Sequence, residues 1–424
     1  MRAPLLLCLT ALRLSAQSPV ADSAAAARAA VRRAQEATRA GDTASAWREW
    51  QRAVTAWPVQ PVYVEALALA AAARNDSAAV RSALERLRAM EAGTRVLRDS
   101  TTRALARRVP AVQRALDALT AAIAPVMRSV ADTVHRDTLF FPEGIRIDPS
   151  TGAPVVTSLR QRTVMRLERD RPVALLRDSA MSHGAVLGVA VSPDGASLWL
   201  TTASLPQLVP TQPPRASAEL LRLRLADGML TQRIPLGDGT GTPGEITITP
   251  QGEVLVSDGT LGVLYRLPQG ASAVRVVRHP LLRSPQGIAV SADGRSAHVA
   301  DWAIGLLHWD LATNSIVRLS EPDGGTLIGI DGLARRGSWL IGVQNGITPA
   351  RIVGISLDAS GRTITRLRTL DRQRYEGEPT VGDVHGDTFT FISSSHWPFY
   401  GDDGARLRGA PLPPVVLRRL RLDF

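Results

Sequence analysis

One sequence pattern returns six times in the last two-thirds of the chain, at intervals near 45 residues. Each copy consists of a loop with a glycine, an apolar strand, a glycine-containing turn and a second strand. A period of this length, with about four strands in each unit, is typical of a β-propeller in which every unit forms one blade. The copies begin at residues 144, 188, 245, 287, 332 and 379.

Six blades account for the length of this region. Residues 140–424 give about 47 residues per blade when divided among six units, and seven blades would be too short. The one long interval contains a proline-rich insertion at 205–214. The chain ends in an apolar stretch, 415–422, and residues 135–139 could pair beside it and close the ring, because an open propeller would leave unpaired strand edges. We therefore predict a six-bladed β-propeller over residues 136–424.

Residues 19 to about 130 have a different period. They are rich in Ala, Arg, Leu and Glu, and their apolar positions recur at helical spacing. Two similar runs begin at Gly41-Asp42 and Asn75-Asp76, 34 residues apart, which resembles a tetratricopeptide helix–turn–helix pair in which Asp caps the following helix. A short helical bundle without repeat ancestry is an equally good interpretation. The predicted fold class is mainly β, a six-bladed propeller preceded by a small α-helical, tetratricopeptide-like region at 19–130.

The first residues resemble a secretory signal peptide. The segment 1–18 begins with a positive residue, continues with a short apolar core and ends near two small residues, Ser15 and Ala16. We expect the mature protein to be periplasmic or secreted. No later stretch approaches the roughly 18 apolar residues of a membrane helix, so we expect no integral membrane segment after removal of the signal.

The composition excludes several kinds of chemistry. The chain contains no lysine, which excludes Schiff-base catalysis and a phosphate-binding P-loop lysine. Its one cysteine, Cys8, lies in the predicted signal peptide, so the remainder has no disulfide, cysteine nucleophile or thiolate metal site. The net charge is +11, but the arginines are scattered and aromatic residues make up only 4% of the chain, so we expect no nucleic-acid partner.

One position in each blade should lie at a mouth of the central channel. The first strand of each blade lines the channel of a propeller, so the residue before the glycine of that strand should face the opening. Three of these positions are carboxylates and one is an amide. Oxygen-rich clusters of this kind suit a hard cation such as Ca²⁺, which takes six to eight oxygen ligands. The six positions are Glu143, Leu187, Gly244, Gln286, Asp331 and Glu378.

A second interpretation of these residues stays open. Acidic residues are frequent in surface turns, so the carboxylates could simply precede strands and be solvated at the channel mouth. If they do converge, three acids held together without a cation should repel one another and raise one another's pKa values.

Four short motifs stand out in the propeller. They are Pro142-Glu143-Gly144-Ile145, Val256-Ser257-Asp258-Gly259, Val299-Ala300-Asp301-Trp302 and Asp331-Gly332-Leu333-Ala334. These motifs resemble the senescence-marker-protein/gluconolactonase-like family, and the resemblance spans the whole propeller. It implies a six-bladed propeller whose enzymes hold a divalent cation in the channel and hydrolyse lactones or related esters.

The resemblance also implies site residues. By position, the metal-ligating Glu, Asn and Asp of the family correspond to Glu143, Gln286 and Asp331, and Asp331 would also activate a water as general base. Gln286 departs from the family pattern, because Gln adds a methylene to Asn and moves the amide oxygen by about 1.5 Å. Glu378 is an additional acid that could compensate. The expected cofactor is Ca²⁺, with Mn²⁺, Zn²⁺ or Mg²⁺ as alternatives.

Other polar side chains are candidate helpers at the channel mouth. His183 and His396 are candidate catalytic residues, and Asn345 is a candidate metal ligand. Each has an alternative interpretation: His183 and Asn345 as ordinary loop residues, and His396 as the end of a strand. The loops 205–214 and 397–404 would select the substrate.

The sequence thus predicts an exported, divalent-cation-dependent hydrolase of a lactone or ester. The alternative is a non-catalytic propeller that binds a peptide, glycan or protein and uses the helical region as an adaptor for a protein partner. Propeller folds serve both kinds of function, so the fold alone does not decide between them.

Overall fold

A computed structural model describes residues 18–168, 172–176, 184–208, 218–407, 409 and 411–424. Its described residues form seven α-helices followed by six four-stranded sheets. None of the described helices is both long and apolar enough to cross a bilayer. The predicted signal peptide and His183 lie outside the described residues, as does most of the proline-rich insertion.

The helices occupy the first third of the chain and pack largely as neighbours in sequence, α1 on α2 and α3 on α4. Their apolar faces form a core that includes Val64, Leu84 and Leu119, all fully buried. The helices are α1 (Pro19–Arg39), α2 (Thr43–Ala56), α3 (Pro61–Ala73), α4 (Ser77–Met90), α5 (Thr94–Arg98), α6 (Ser100–Arg108) and α7 (Pro110–Ala122).

Two aspartates cap helices 34 residues apart, as the sequence predicts. The Asp42 carboxylate accepts a hydrogen bond from the Ser45 amide at 2.9 Å, and Asp76 accepts one from the Ala79 amide at 3.0 Å. Each carboxylate satisfies an amide that has no partner within the helix, which fixes where α2 and α4 begin. Capping at this spacing is confirmed, whereas tetratricopeptide ancestry stays a prediction.

The six-bladed propeller is confirmed, and each complete blade is an antiparallel sheet whose strands follow chain order from the channel outward. The first blades contain β2 (Pro142–Ile147), β3 (Pro154–Ser158), β4 (Thr163–Leu167) and β5 (Pro172–Ala174); β6 (Ala185–Val191), β7 (Ser197–Ala203), β8 (Glu219–Arg224) and β9 (Leu230–Pro235); and β10 (Pro243–Ile248), β11 (Val254–Asp258), β12 (Val263–Leu267) and β13 (Arg275–Val277).

The remaining blades follow the same plan, except that the sixth is completed by β1 (Val130–His135). They contain β14 (Pro285–Val290), β15 (Ser296–Asp301), β16 (Gly305–Asp310) and β17 (Ile316–Arg318); β18 (Ile330–Arg336), β19 (Trp339–Gln344), β20 (Arg351–Leu357) and β21 (Ile364–Asp371); and β22 (Gly382–His385), β23 (Thr388–Ile392) and β24 (Val415–Arg421).

The ring closes where the two ends of the propeller meet. Strand β1 pairs antiparallel with β24, placing Val130 opposite Arg419 and His135 opposite Val415. The sequence predicted closure by residues 135–139, and that position is wrong by about one strand length. The pairing begins within the segment assigned to the helical region, so the propeller starts near residue 130 and not at 136.

Recurring aspartates hold the loops at one end of the blades. Asp301 ends β15, is fully buried, and accepts hydrogen bonds from the amides of Arg283 and Ser284 at 2.7 and 2.9 Å. Asp258 ends β11 and accepts from the amides of Thr242 and Leu261. These aspartates belong to two of the motifs that carry the family resemblance, and their role here is to fix the loops between blades.

The helical region rests on the same end of the propeller. The Thr326 hydroxyl donates to the Val59 carbonyl at 2.7 Å, and the Arg318 guanidinium lies over the Trp57 ring. Glu91 pairs with Arg372 at 2.7 Å. All three propeller residues belong to blades four and five or to the loops that leave them, so the helical region covers one side of this end.

A buried carboxylate, Asp371, contacts the linker between the two regions at several points. Asp371 Oδ1 accepts hydrogen bonds from the amides of Arg128 and Ser129, both at 2.8 Å, and Oδ2 accepts from the hydroxyls of Ser129 and Tyr375. Its side chain thereby fixes the residues that lead into β1.

We expect Asp371→Ala to lower the free energy of unfolding by about 3 kcal/mol, because several buried donors lose their acceptor. Urea unfolding followed by circular dichroism measures this change. Asp132→Ala is the matched control, since Asp132 is exposed and its ion pair with Arg419 lies at the surface, and it should change stability by less than about 0.5 kcal/mol. Equal stabilities of the two variants would contradict this role of Asp371.

Candidate active site at the channel mouth

The inner strands bring most of the predicted ring residues together. Pro142, Pro243, Pro285 and Ile330 occupy equivalent positions, each opposite the last residue of the second strand of its blade. The following residue in each case lines one open cavity of about 390 Å³. The lining residues are Glu143, Leu187, Thr242, Gly244, Gly259, Thr260, Ser284, Gln286, Trp302, Asp331, Asn345, Glu378 and Trp397.

Glu378 reaches this cavity from a different position than the sequence predicts. A Cβ atom placed on Gly144 would lie 2.3 Å from the carbonyl oxygen of Leu187 in the next blade. A Cβ atom placed on Gly332 would approach Thr380 in the equivalent way. Thr380 therefore occupies the sixth ring position. Glu378 lies two residues earlier, in the loop that forms a β-bridge to Ser395, so its predicted register is wrong although its side chain lines the mouth.

Glu143 is held by an indole and crowded by other acids. The Trp397 Nε1 donates a hydrogen bond to Glu143 Oε2 at 2.6 Å. Burial raises the pKa of Glu143 to about 8, with further increases from the charges of Asp331 and Glu378, and the Trp397 hydrogen bond opposes this shift. The expected mutual repulsion of the acids is therefore present.

Asp331 is tied to Asn345 in the neighbouring loop. The Asn345 Nδ2 donates to Asp331 Oδ2 at 2.9 Å and to the Pro379 carbonyl at 2.8 Å. Burial raises the pKa of Asp331 to about 7, and Glu378 adds to this effect, whereas the bond from Asn345 lowers it. Burial also raises the pKa of Glu378. The mouth thus contains three carboxyl groups that ionise reluctantly.

Two amide side chains belong to residues that line the same cavity. The Asn345 Oδ1 is buried and has no hydrogen-bond partner among the described residues. The Gln286 Nε2 donates to the Ser284 hydroxyl at 3.2 Å, which directs Oε1 towards Gly244. Gly244 and Gly259 lack side chains where the longer Gln side chain passes, so the extra methylene relative to Asn is accommodated.

A guanidinium joins two non-adjacent blades below the ring. The Arg146 Nη2 donates to Glu245 Oε1 and to the Ile246 carbonyl, both at 2.7 Å, which joins the first blade to the third. Burial lowers the pKa of Arg146, but the charges of Glu245 and Asp383 more than offset this effect and raise it. Arg146 thereby compensates the lower acids, and no arginine or histidine is among the described residues that line the upper cavity.

His396 does not line the mouth, so its expected position there is wrong. Its ring is fully buried, packs against Phe141 and Phe399, and places Nε2 3.0 Å from the Pro413 carbonyl. Burial lowers its pKa. Its neighbour Trp397 points into the cavity instead. His183, the other predicted catalytic histidine, lies outside the described residues.

Two tryptophans form walls of the cavity. Trp302 directly follows Asp301 at the end of β15, and Trp397 lies two residues after Ser395 in the corresponding loop of the sixth blade. Sequence reasoning assigned neither residue a role in the site, although 397 begins a loop expected to select the substrate. Only the place of these residues in the repeat could have indicated their role, because both follow the second strand of a blade at the end where the acids lie.

The oxygen donors converge but are not arranged as a finished metal site. No group of three or more His, Asp or Glu side chains is placed to hold a metal ion within the described parts of the chain. The Trp397 indole donates to one oxygen of Glu143, and the Asn345 amide donates to one oxygen of Asp331, which leaves the second oxygen of each carboxyl group for a cation. The donors themselves, carboxylates plus the unpartnered amide oxygen of Asn345, are of the kind that Ca²⁺ prefers.

Known proteins resemble this chain only distantly. No family model matches the chain. No curated protein matches it either. Among solved structures, regucalcin, a calcium-binding protein from Agrobacterium tumefaciens, is 16% identical with a TM-score of 0.47, over 71% of this chain and 98% of that one.

Two other solved structures are similar to the same extent. A PQQ-bound aldose sugar dehydrogenase from Streptomyces coelicolor is 15% identical with a TM-score of 0.46, over 70% of this chain and 99% of that one. A luciferin-regenerating enzyme is 15% identical with a TM-score of 0.48, over 71% and 96%.

We expect Glu143 to make cation-free protein less stable as the pH rises. Its pKa is about 8 when folded and near 4.5 when unfolded, so its contribution is fully present below pH 4.5 and is lost as the pH rises towards 8. Urea unfolding in EDTA should show Glu143→Gln matching wild type near pH 4.5 and exceeding it at pH 8 by on the order of 2 kcal/mol.

The control for this prediction is Glu36→Gln, which changes an exposed acid on α1. Its stability relative to wild type should not vary over the same pH range. The opposite result would be a wild-type protein that gains stability relative to Glu143→Gln as the pH rises from 5 to 8. That result would contradict the burial of an uncompensated carboxyl group.

Proposed function

We propose that the protein is a divalent-cation-dependent hydrolase of a lactone or ester, with its site at the channel mouth. One observation carries the proposal. Three carboxyl groups, those of Glu143, Asp331 and Glu378, line one cavity with raised pKa values, and no described basic side chain lines it with them. A cation is the simplest group that would compensate this charge.

The residues that would hold the cation supply only oxygen. Glu143, Asp331 and Glu378 would provide carboxylates, and Gln286 and Asn345 would provide amide oxygens. The buried Oδ1 of Asn345, which lacks a hydrogen-bond partner, fits this role because such an atom is costly without one. An all-oxygen donor set favours Ca²⁺, with Mn²⁺ or Mg²⁺ next, whereas Zn²⁺ usually takes nitrogen or sulfur ligands.

A bound divalent cation would polarise the carbonyl group of the substrate. The chain itself would supply proton transfer and orientation. Asp331 would take a proton from the attacking water, because its carboxyl group lines the cavity together with the other oxygen donors. Asn345 keeps the Asp331 carboxyl oriented through its hydrogen bond, and Trp397 does the same for Glu143.

The two tryptophans would bind the uncharged part of the substrate. Trp302 and Trp397 offer flat apolar surfaces beside the carboxylates, and ring-shaped substrates such as lactones can stack on an indole. The acidic lining should disfavour substrates that carry carboxylate or phosphate groups, because no described arginine or histidine at the mouth would pair with them.

A non-catalytic binding function is the second candidate. The observation that favours it is that Glu143 and Asp331 are already engaged by Trp397 and Asn345, so that the mouth is a formed polar and aromatic surface. Such a surface could bind a peptide, a glycan or a protein. We propose for either function that the protein is exported, on the basis of the sequence of residues 1–18.

Cation binding tests the proposal directly. We expect calorimetry on protein lacking residues 1–18 to show Ca²⁺ or Mn²⁺ binding that weakens at least tenfold in both Glu143→Gln and Asp331→Asn. Glu168→Gln is the control, because Glu168 is an exposed acid of the first blade and should leave the affinity unchanged. Hydrolysis of uncharged lactones and esters should require the added cation and disappear in Asp331→Asn.

The outcomes separate the two candidates. Cation binding at this site with no hydrolysis across a set of lactones and esters would favour the binding function. No cation binding by the wild-type protein, or binding that survives in both site variants, would overturn the hydrolase proposal.

A further inference from the structure

The loop that carries Asn345 is anchored in the helical region. This loop, residues 345–350, connects β19 to β20 at the channel mouth. Asn345 is at its first position, and Ile347 follows two residues later. From the contacts described below, we infer that Ile347 is a positioning residue, which holds Asn345 against Asp331 by inserting into the core of the helical region.

Ile347 belongs to the hydrophobic core of another part of the chain. It is only 5% exposed, and the other buried members of its cluster lie between Val54 and Leu119. Among the described residues, Ile347 is the one buried propeller residue in this cluster. Burying an Ile side chain in an apolar core contributes about 1.5–3 kcal/mol, which is enough to fix the loop that carries it.

Backbone hydrogen bonds hold the loop on both sides of Ile347. The Gly93 amide of the helical region donates to the Thr348 carbonyl at 2.8 Å. The Gly346 amide donates to the Gly329 carbonyl at 3.0 Å, which holds the other side of the loop against the propeller. One side of the loop is therefore held by the propeller, at Gly346, and the other side is held by the helical region, at Thr348.

Asn345 transmits this position to the site. Its Nδ2 bridges Asp331 in the fifth blade and the Pro379 carbonyl in the loop before the sixth, at 2.9 and 2.8 Å. Both contacts require the Asn345 backbone to stay within a few tenths of an ångström of its present place. The helical region is accordingly a structural part of the mouth.

The side-chain amides of asparagine offer a direct test. The chain has only three asparagines, Asn75, Asn314 and Asn345, so selective ¹⁵N-asparagine labelling gives three side-chain signals. In cation-free wild-type protein, the Asn345 amide protons should exchange slowly with water because both Nδ2 hydrogens are bonded. Asn75 and Asn314 serve as internal references, since neither belongs to the loop.

We expect Ile347→Ala to shift the Asn345 signal and to accelerate its exchange with water at least tenfold, while the other two signals stay in place. Ile347→Leu should restore most of the protection, because it refills the core with equal volume. Thr326→Val is the matched control. It removes a different contact between the helical region and the propeller and should leave the Asn345 signal unchanged.

Should Ile347→Ala fail to fold, the smaller truncation Ile347→Val should produce the same change to a lesser degree. An unchanged Asn345 signal in a folded Ile347→Ala or Ile347→Val variant would overturn the inference. An equal change in Thr326→Val would also overturn it, because the effect would then belong to the interface as a whole.

The effect of Ile347 on cation binding rests on the proposed function. If the wild-type protein binds Ca²⁺, Ile347→Ala should weaken binding at least tenfold, and Thr326→Val should not. If the wild-type protein does not bind Ca²⁺ or Mn²⁺, the proposed function fails, and the asparagine spectra, which are recorded without cation, still decide the role of Ile347.

Discussion

The channel mouth depends on the close contact between the backbones of neighbouring inner strands. At Gly144 and Gly188, a Cβ atom would lie 2.3 Å from a carbonyl oxygen of the next blade, so any larger residue would force the blades apart. Because the strands meet here, the residues that precede these glycines converge on a narrow opening. The raised pKa values of Glu143 and Asp331 follow from this geometry, since burial is the largest cause for both. The acidic character of the mouth is therefore a property of the ring as a whole.

Much of this arrangement could be predicted from the sequence, because it depends on repetition. The interval between the repeats predicted six blades, and the glycine pattern predicted five of the six ring positions correctly. The sixth was misplaced because Val381 stands where most other blades have glycine, which removes the marker of the register. The closing strand was misplaced because residues on either side of His135 are similarly compatible with pairing to β24.

Other features depend on contacts that no local pattern reveals. His396 and Trp397 are adjacent, yet one packs beneath Phe141 and the other faces the channel, and the sequence of a loop does not determine such directions. The contribution of Trp302 could have been inferred only from its place after a second strand. The insertion of Ile347 into a core built by residues 54–119 joins segments more than two hundred positions apart, and apolarity alone does not identify its partner.

The Arg146 side chain has a consequence for how charge is distributed along the channel. It reaches from the first blade to the third and is held there by Glu245 and the Ile246 carbonyl. The acids near it, Glu245 and Asp383, therefore have a cation that the chain itself supplies. Among the described residues, the acids of the upper cavity have no basic side chain beside them. A positively charged group is accordingly favoured at one end of the channel and not at the other.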